Sequence, residues 1–170
     1  MKSIKIGLLL AGVFLGVSLS AEGVEKTMEL TVSLPDGTGD NPMVVLWLEK
    51  DTGEFVQTVR MFSKRRPYYR DLLTWFFKSR TIEKWSDIDA VSGATLRWNK
   101  SQTFSIPVRL KGHDLLDGTY VLRFESRKDG GNHHREFKIP LPNGYAGGKH
   151  EDAGYVQSVE ITIKDGVDSE

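Results

Sequence analysis

Met28-Glu29-Leu30-Thr31-Val32-Ser33-Leu34 alternates apolar and polar side chains without a break. A period of two puts Met28, Leu30, Val32 and Leu34 on one face of an extended chain, the pattern of a half-buried β-strand. Pro35-Asp36-Gly37 ends the run as a turn. The same signals recur downstream. Met43-Val44-Val45-Leu46-Trp47-Leu48 is continuously apolar, as a central strand is, and Trp47 within it reads as core. Asp51-Thr52-Gly53 marks a turn, with Phe55 to Phe62 as the hairpin partner. Phe104, Ile106, Val108 and Leu110 alternate again, and Pro107 among the outward positions points to an edge strand or a bulge. Asp117-Gly118 precedes Tyr120 to Phe124, Asp129-Gly130-Gly131 turns the chain, and Phe137, Ile139 and Leu141 follow. Val159, Ile161 and Ile163 close the set ahead of an acidic tail.

About seven short strands with turn signals between them predict a mainly β fold, an immunoglobulin-like β-sandwich, rather than an α/β domain. One stretch reads as helix. Pro67 suits a first helical turn, where a missing N–H costs nothing. Tyr69, Leu72, Leu73, Phe76 and Arg80 follow at spacings of three and four. The segment 63–99 is therefore predicted to be an insertion between strands, and long ordered insertions are often functional.

The N-terminus has the order of an export signal. Lys2 and Lys5 precede an uncharged apolar run from Ile6 to Leu19, and Ser18-Leu19-Ser20 supplies the small residues a signal peptidase reads. The run is shorter than the roughly 20 apolar residues of a membrane span. Residues 1–20 are thus expected to be a cleaved signal peptide that leaves no stable membrane anchor. Residues 21–170 are expected to form a single extracytoplasmic domain. Without cysteine there is neither a disulfide framework nor a lipoprotein anchor, so the core must carry the stability. The full chain has 23 basic and 23 acidic residues; losing Met1–Ser20 removes Lys2 and Lys5 and no acid, giving 21 against 23 and a net formal charge of −2. That balance argues against nucleic acid as a partner.

Inside the insertion lies Asp89-Ala90-Val91-Ser92-Gly93-Ala94-Thr95. As Asp-x-x-Ser-Gly-Ala-Thr it resembles the acceptor motif of exported proteins that carry FMN on a threonine through a phosphoester bond. The resemblance implies Thr95 as the attachment point and a flavin transferase as a partner. A threonine hydroxyl is a poor nucleophile, so the loop would have to enter the transferase active site. Gly93 and Ala94 suit that approach. Asp89 is a candidate contact to the transferase or its metal, and Ser92 a candidate for holding the loop through local bonds. Trp98, Trp85 and Trp75 are candidate walls for the flavin ring, and Arg97 and Lys100 candidates to offset phosphate charge. One position departs from the motif's usual surroundings: Arg97 stands where threonine or serine is common. The structural alternative is a plain loop of small residues.

The order of features from Met43 to Lys164 resembles a predicted periplasmic family classed as a domain of unknown function, often encoded near flavin transferases and membrane redox proteins. The matching elements are Val44 to Glu49, Thr58-Val59-Arg60, the helix with Trp75, Asp89 to Thr95, Asp117-Gly118-Thr119-Tyr120, and Glu125 with Gly130-Gly131. Leu115 to Tyr120 also resembles the immunoglobulin-like module of flagellar hook-capping proteins, which speaks to fold and not to function. The resemblance implies an exported, flavin-associated electron carrier working with a membrane redox protein. The alternative is a flavin-free periplasmic interaction module that binds through the insertion.

Other candidates are weaker. Adjacent His133-His134 on a strand point to opposite faces, and with His113 and His150 read as solvated loop residues, so no metal site is expected. Lys64-Arg65-Arg66 with Tyr68-Tyr69-Arg70 forms a basic-aromatic stretch suited to an acidic partner or headgroups, or a solvated helix start. Tyr145 to His150 reads as a flexible loop without the Gly-Lys-Ser/Thr ending of a phosphate loop. No Ser/His/Asp arrangement is recognisable. A carrier or binding module is expected over a self-contained enzyme.

Overall fold

A computed structural model gives the fold and describes residues 25–63, 66–128 and 134–166. The expected signal peptide 1–20, Lys64-Arg65, the expected turn at Asp129-Gly130-Gly131, His133 and the residues from Val167 lie outside the described residues. The strands are β1 (Thr27–Ser33), β2 (Met43–Lys50), β3 (Phe55–Met61), β4 (Ser101–Pro107), β5 (Arg109–Leu110), β6 (His113–Asp114), β7 (Tyr120–Arg127), β8 (His134–Leu141), β9 (Gly147–Ala153) and β10 (Val156–Lys164). Two four-stranded antiparallel sheets, ordered β4-β1-β10-β9 and β3-β2-β7-β8, form a β-sandwich, and β5 and β6 make a short ribbon.

The alternation in β1 does what its period requires. Met28, Leu30 and Val32 are fully buried and pack with Val159 and Ile161 of β10. Across the sandwich they meet Val44, Leu46 and Leu48 of β2, Leu122 and Phe124 of β7, and Ile139 and Leu141 of β8. Each such side chain contributes roughly 1.5–3 kcal/mol relative to exposure. β4 is an edge strand, which accommodates Pro107 at its end. In the β2–β3 hairpin, Lys50 N–H donates to Glu54 O at 2.8 Å and Gly53 N–H to Lys50 O at 2.9 Å.

β2 is buried on both faces, which explains its unbroken apolar run. The outward face presents Val45 and Trp47, and these pack with Tyr69, Leu72, Trp75 and Ile88 into a second core. Those four side chains come from the insertion, which links β3 to β4 and covers the outer face of the β3-β2-β7-β8 sheet. The insertion is three short pieces, not one helix: a 3-10 segment (Arg66–Asp71), α1 (Leu73–Ser79) and α2 (Trp85–Ala90). Pro67 does sit in the first turn. The break at Leu72, with φ −85° and ψ 79°, lets the α1 N–H groups turn toward β7. There the buried Glu125 carboxylate accepts from Thr74 N–H at 3.3 Å and Trp75 N–H at 2.9 Å.

The sequence reading placed Tyr145 to His150 in a loop, whereas β9 begins at Gly147 and takes in Gly148, Lys149 and His150. Glycines are depleted in strands, so the pair reads as loop. Gly147 has φ +99°, and a Cβ there would run into the Ile161 carbonyl. The close approach to β10 is what requires glycine.

The second core has a polar rim. Trp75 Nε1 donates to Thr58 Oγ1 at 2.8 Å, and Thr58 N–H donates to Glu83 Oε1 at 2.7 Å while its hydroxyl donates to Oε2. Burial raises the Glu83 pKa above its ordinary 4.5, outweighing the Thr58 hydrogen bonds that oppose the rise. The folded state therefore binds this proton more tightly than the unfolded chain. Its contribution to stability is present below pH 4.5 and is lost as pH rises through the folded-state value. Glu83→Gln should lose less stability than the parent over that rise. Urea midpoints taken at a series of pH values check this, and parallel pH profiles would refute it.

Candidate functional site

The Asp89–Thr95 loop is held at almost every position except its end. Asp89, in the last turn of α2, pairs with Arg66, whose Nε donates to Oδ1 at 2.9 Å. The chain then docks on the free edge of β3: Met61 N–H donates to Val91 O at 3.1 Å, and Gly93 N–H to Met61 O at 2.8 Å. Ser92 Oγ donates back to Ile88 O at 2.8 Å and lies 3.2 Å from Tyr69 Oη. Tyr69 in turn donates to Ser63 O at 2.7 Å. Ser92 thus holds the loop through the local bonding expected of it.

Gly93 is buried, and the reason lies beneath it. A Cβ there would collide with the Arg60 guanidinium, which sits 5.8 Å from the Phe62 ring centroid and 5.5 Å from that of Phe104. The missing side chain makes room for this stacked cation. Leu96 is fully buried in the sandwich core and fixes the far end of the loop. Between these anchors Ala94 is exposed, with its carbonyl accepting from Gln102 Nε2 at 3.3 Å, and Thr95 is half-buried.

Thr95 lines a cavity of about 220 Å³. The β1–β2 connection contributes Asp40 and Asn41, the insertion contributes Ser63, Tyr68, Asp71 and Arg97, and Met43 and Arg127 come from β2 and β7. Two arginines face two aspartates there. Arg127 Nη1 donates to Asp71 O at 3.0 Å, tying the end of β7 to the 3-10 segment. Thr95 makes no side-chain hydrogen bond among the described residues, in contrast to Asp89 and Ser92. The cavity is smaller than the roughly 300–1,000 Å³ usual for small-molecule and cofactor sites. It is too small to enclose a whole flavin.

The aromatic candidates separate. Trp75 is fully buried and spent on the second core. Trp98 stands outside the cavity lining: its indole lies against Gly37, donates to Asp40 O at 3.1 Å, and meets Tyr155 edge-on at 6.2 Å. Trp85 is exposed, with its ring 6.2 Å from Tyr69. Lys100 is exposed and is not part of the cavity lining. Asp40, Asn41, Asp71 and Arg127 went unnoticed in the sequence because nothing local marks them. The histidines lie apart: His113 Nδ1 is 2.7 Å from Tyr120 Oη, and His150 Nε2 is 2.8 Å from Tyr145 Oη. Burial lowers the His150 pKa from 6.5. Among the described residues no group of His, Asp and Glu gathers closely enough to hold a metal ion.

A family model described as a predicted periplasmic protein, DUF2271, matches residues 25–158. The chain belongs to this family. The match runs from just before β1 into β10, so it takes in both sheets, the insertion and the Asp89–Thr95 loop. Membership makes the protein periplasmic and leaves the chemistry of the loop to its residues. No curated protein and no solved structure matches the chain.

Proposed function

We propose that the protein is a periplasmic electron carrier with FMN attached to Thr95 through a phosphoester. The observation that carries this reading is the contrast within one loop. Asp89, Ser92, Gly93 and Leu96 are fixed by bonds and packing, while Thr95 keeps its hydroxyl uncommitted at a cavity lined by Arg97 and Arg127. In attachment, Thr95 Oγ1 would displace the nucleotide half of a flavin dinucleotide at phosphorus, forming one P–O bond as another breaks. Its proton would pass to the transferase. Arg97 and Arg127 would offset the single negative charge of the resulting phosphodiester. The flavin would supply the redox chemistry; the protein supplies the anchor and the environment.

A second reading, a flavin-free interaction module, draws support from the apolar side chains that the insertion leaves in solvent. One experiment separates the two. When the chain is co-expressed with a flavin transferase and exported, mass spectrometry should find an FMN-sized adduct on the peptide containing Thr95, and Thr95→Ala should abolish it. The absence of any adduct on the parent protein would remove the flavin reading and leave the interaction module.

A further inference from the structure

The large apolar side chains that stand exposed among the described residues all fall within one short stretch: Tyr68, Leu73, Phe77, Ile82 and Trp85. Phe77 and Ile82 are the most open, at 59% and 57%. Leu73 and Phe77 are one turn apart on α1 and share a face. The remaining three lie on the 3-10 segment, the turn after α1 and the start of α2. The opposite sides of these same elements are committed, with Tyr69, Leu72, Trp75 and Ile88 buried against the sheet. The insertion is therefore apolar on two sides, one covered by the protein and one facing water.

The exposed charge of these elements leans basic. Between positions 66 and 90 the basic residues are Arg66, Arg70, Lys78, Arg80 and Lys84 and the acids Asp71, Glu83, Asp87 and Asp89. Arg66 pairs with Asp89 and Lys78 with Glu49, while Arg70, Arg80 and Lys84 are exposed, as is Asp87. Glu83 is turned inward to Thr58, and Asp71 lines the Thr95 cavity. The chain as a whole has no net positive charge, so this basic character is local. The Arg80 guanidinium lies 4.8 Å from the Phe77 ring centroid, so charge and apolar surface are interleaved rather than sorted into rim and centre. The cores of protein–protein interfaces are depleted in lysine and acidic residues, though arginine and aromatic residues are enriched there. Interleaved basic, aromatic and aliphatic side chains suit a lipid headgroup region, where rings and aliphatic groups sink to the acyl boundary and cations stay with the phosphates.

We infer that this face of the insertion binds an anionic lipid surface peripherally, with Phe77 and Ile82 entering the interface and Arg70, Arg80 and Lys84 meeting the headgroups. Among the described residues no helix is long and apolar enough to cross a membrane, so the contact is one of lying on the surface. Tyr68 belongs both to this face and to the cavity lining, so binding would hold the Thr95 loop near the membrane. The inference does not depend on flavin attachment.

The test is co-sedimentation of the exported protein with vesicles of phosphatidylcholine alone or with added phosphatidylglycerol. Binding to the anionic vesicles should exceed that to the neutral ones by at least about tenfold at low salt and fall away at about 0.5 M salt. Phe77→Ser combined with Ile82→Ser should weaken it by about tenfold or more while leaving the circular dichroism spectrum unchanged. Arg70→Glu with Arg80→Glu should do the same, and Thr95→Ala should bind as the parent does. Failure to bind anionic vesicles, or full binding by both double variants, would overturn the inference. So would a reversible dimer in sedimentation equilibrium that Phe77→Ser with Ile82→Ser abolishes, since a second copy of the chain would then be the occupant.

Discussion

Trp75→Ala should lower the unfolding free energy by about 3–5 kcal/mol, the range for removing a large aromatic side chain from a core. Trp75 is fully buried, meets Tyr69 edge-on at 5.8 Å and donates its indole N–H to Thr58. Truncation therefore opens a cavity at the centre of the second core and removes a donor from the Thr58–Glu83 rim. The consequence reaches the Thr95 loop, because Tyr69 packs on Trp75 and also holds Ser63 O beside Ser92. The sandwich core between the two sheets shares none of these side chains. Urea unfolding followed by far-ultraviolet circular dichroism gives the magnitude. Amide exchange should then show α1 and α2 losing protection before β1 and β10. A loss below about 1 kcal/mol would mean that the insertion is not anchored through Trp75.

The sandwich was legible because its strands follow simple physical rules. Met28 to Leu34 alternates because one face meets the core and the other meets water. Trp47 and its neighbours form a continuous run because the insertion covers their outer face. The position of the insertion, between Met61 and Ser101, was readable for the same reason: the period-two pattern lapses there. Its internal build was not. The spacing from Tyr69 to Arg80 fits one helical stripe, and nothing in it reveals that Leu72 breaks the chain so that a carboxylate fifty residues away can cap α1. Strand β9 escaped notice because Gly147-Gly148 reads locally as loop, although its glycine answers a long-range approach to Ile161. The motif loop was legible as small residues. The need for Gly93 comes from Arg60, and the cavity at Thr95 depends on Arg127 at the far end of β7. Contacts of that kind depend on strand register, which local pattern does not carry.

Glu125→Ala is the other change expected to cost several kcal/mol, and β7 shows why. Three alternate residues of this strand face the insertion, each with its own partner. Arg123 lies over the Trp47 ring at 5.7 Å and pairs with Glu136, Glu125 caps α1, and Arg127 reaches Asp71 O. Of the three, only Glu125 is completely buried. Its carboxylate takes up two N–H groups at the first turn of α1, where a helix has no acceptors of its own. Water cannot easily replace it beneath Trp75. Alanine leaves the Trp75 N–H buried without this acceptor at about 1–3 kcal/mol and the part-buried Thr74 N–H at less, so a total of about 2–4 kcal/mol is expected. Glu125→Gln has nearly the same shape but keeps only one acceptor oxygen, its NH2 opposing the other N–H, so it should cost less than Ala without matching the parent. The pair of variants separates lost capping from lost volume. If Gln and Ala are equally destabilising, the charge itself holds α1. If Gln is mild and Ala severe, the hydrogen bonds do. In the second case hydrogen exchange should quicken at both the Thr74 and Trp75 amides in Ala and at only one of them in Gln, locating the loss at the end of α1 that faces the sheet.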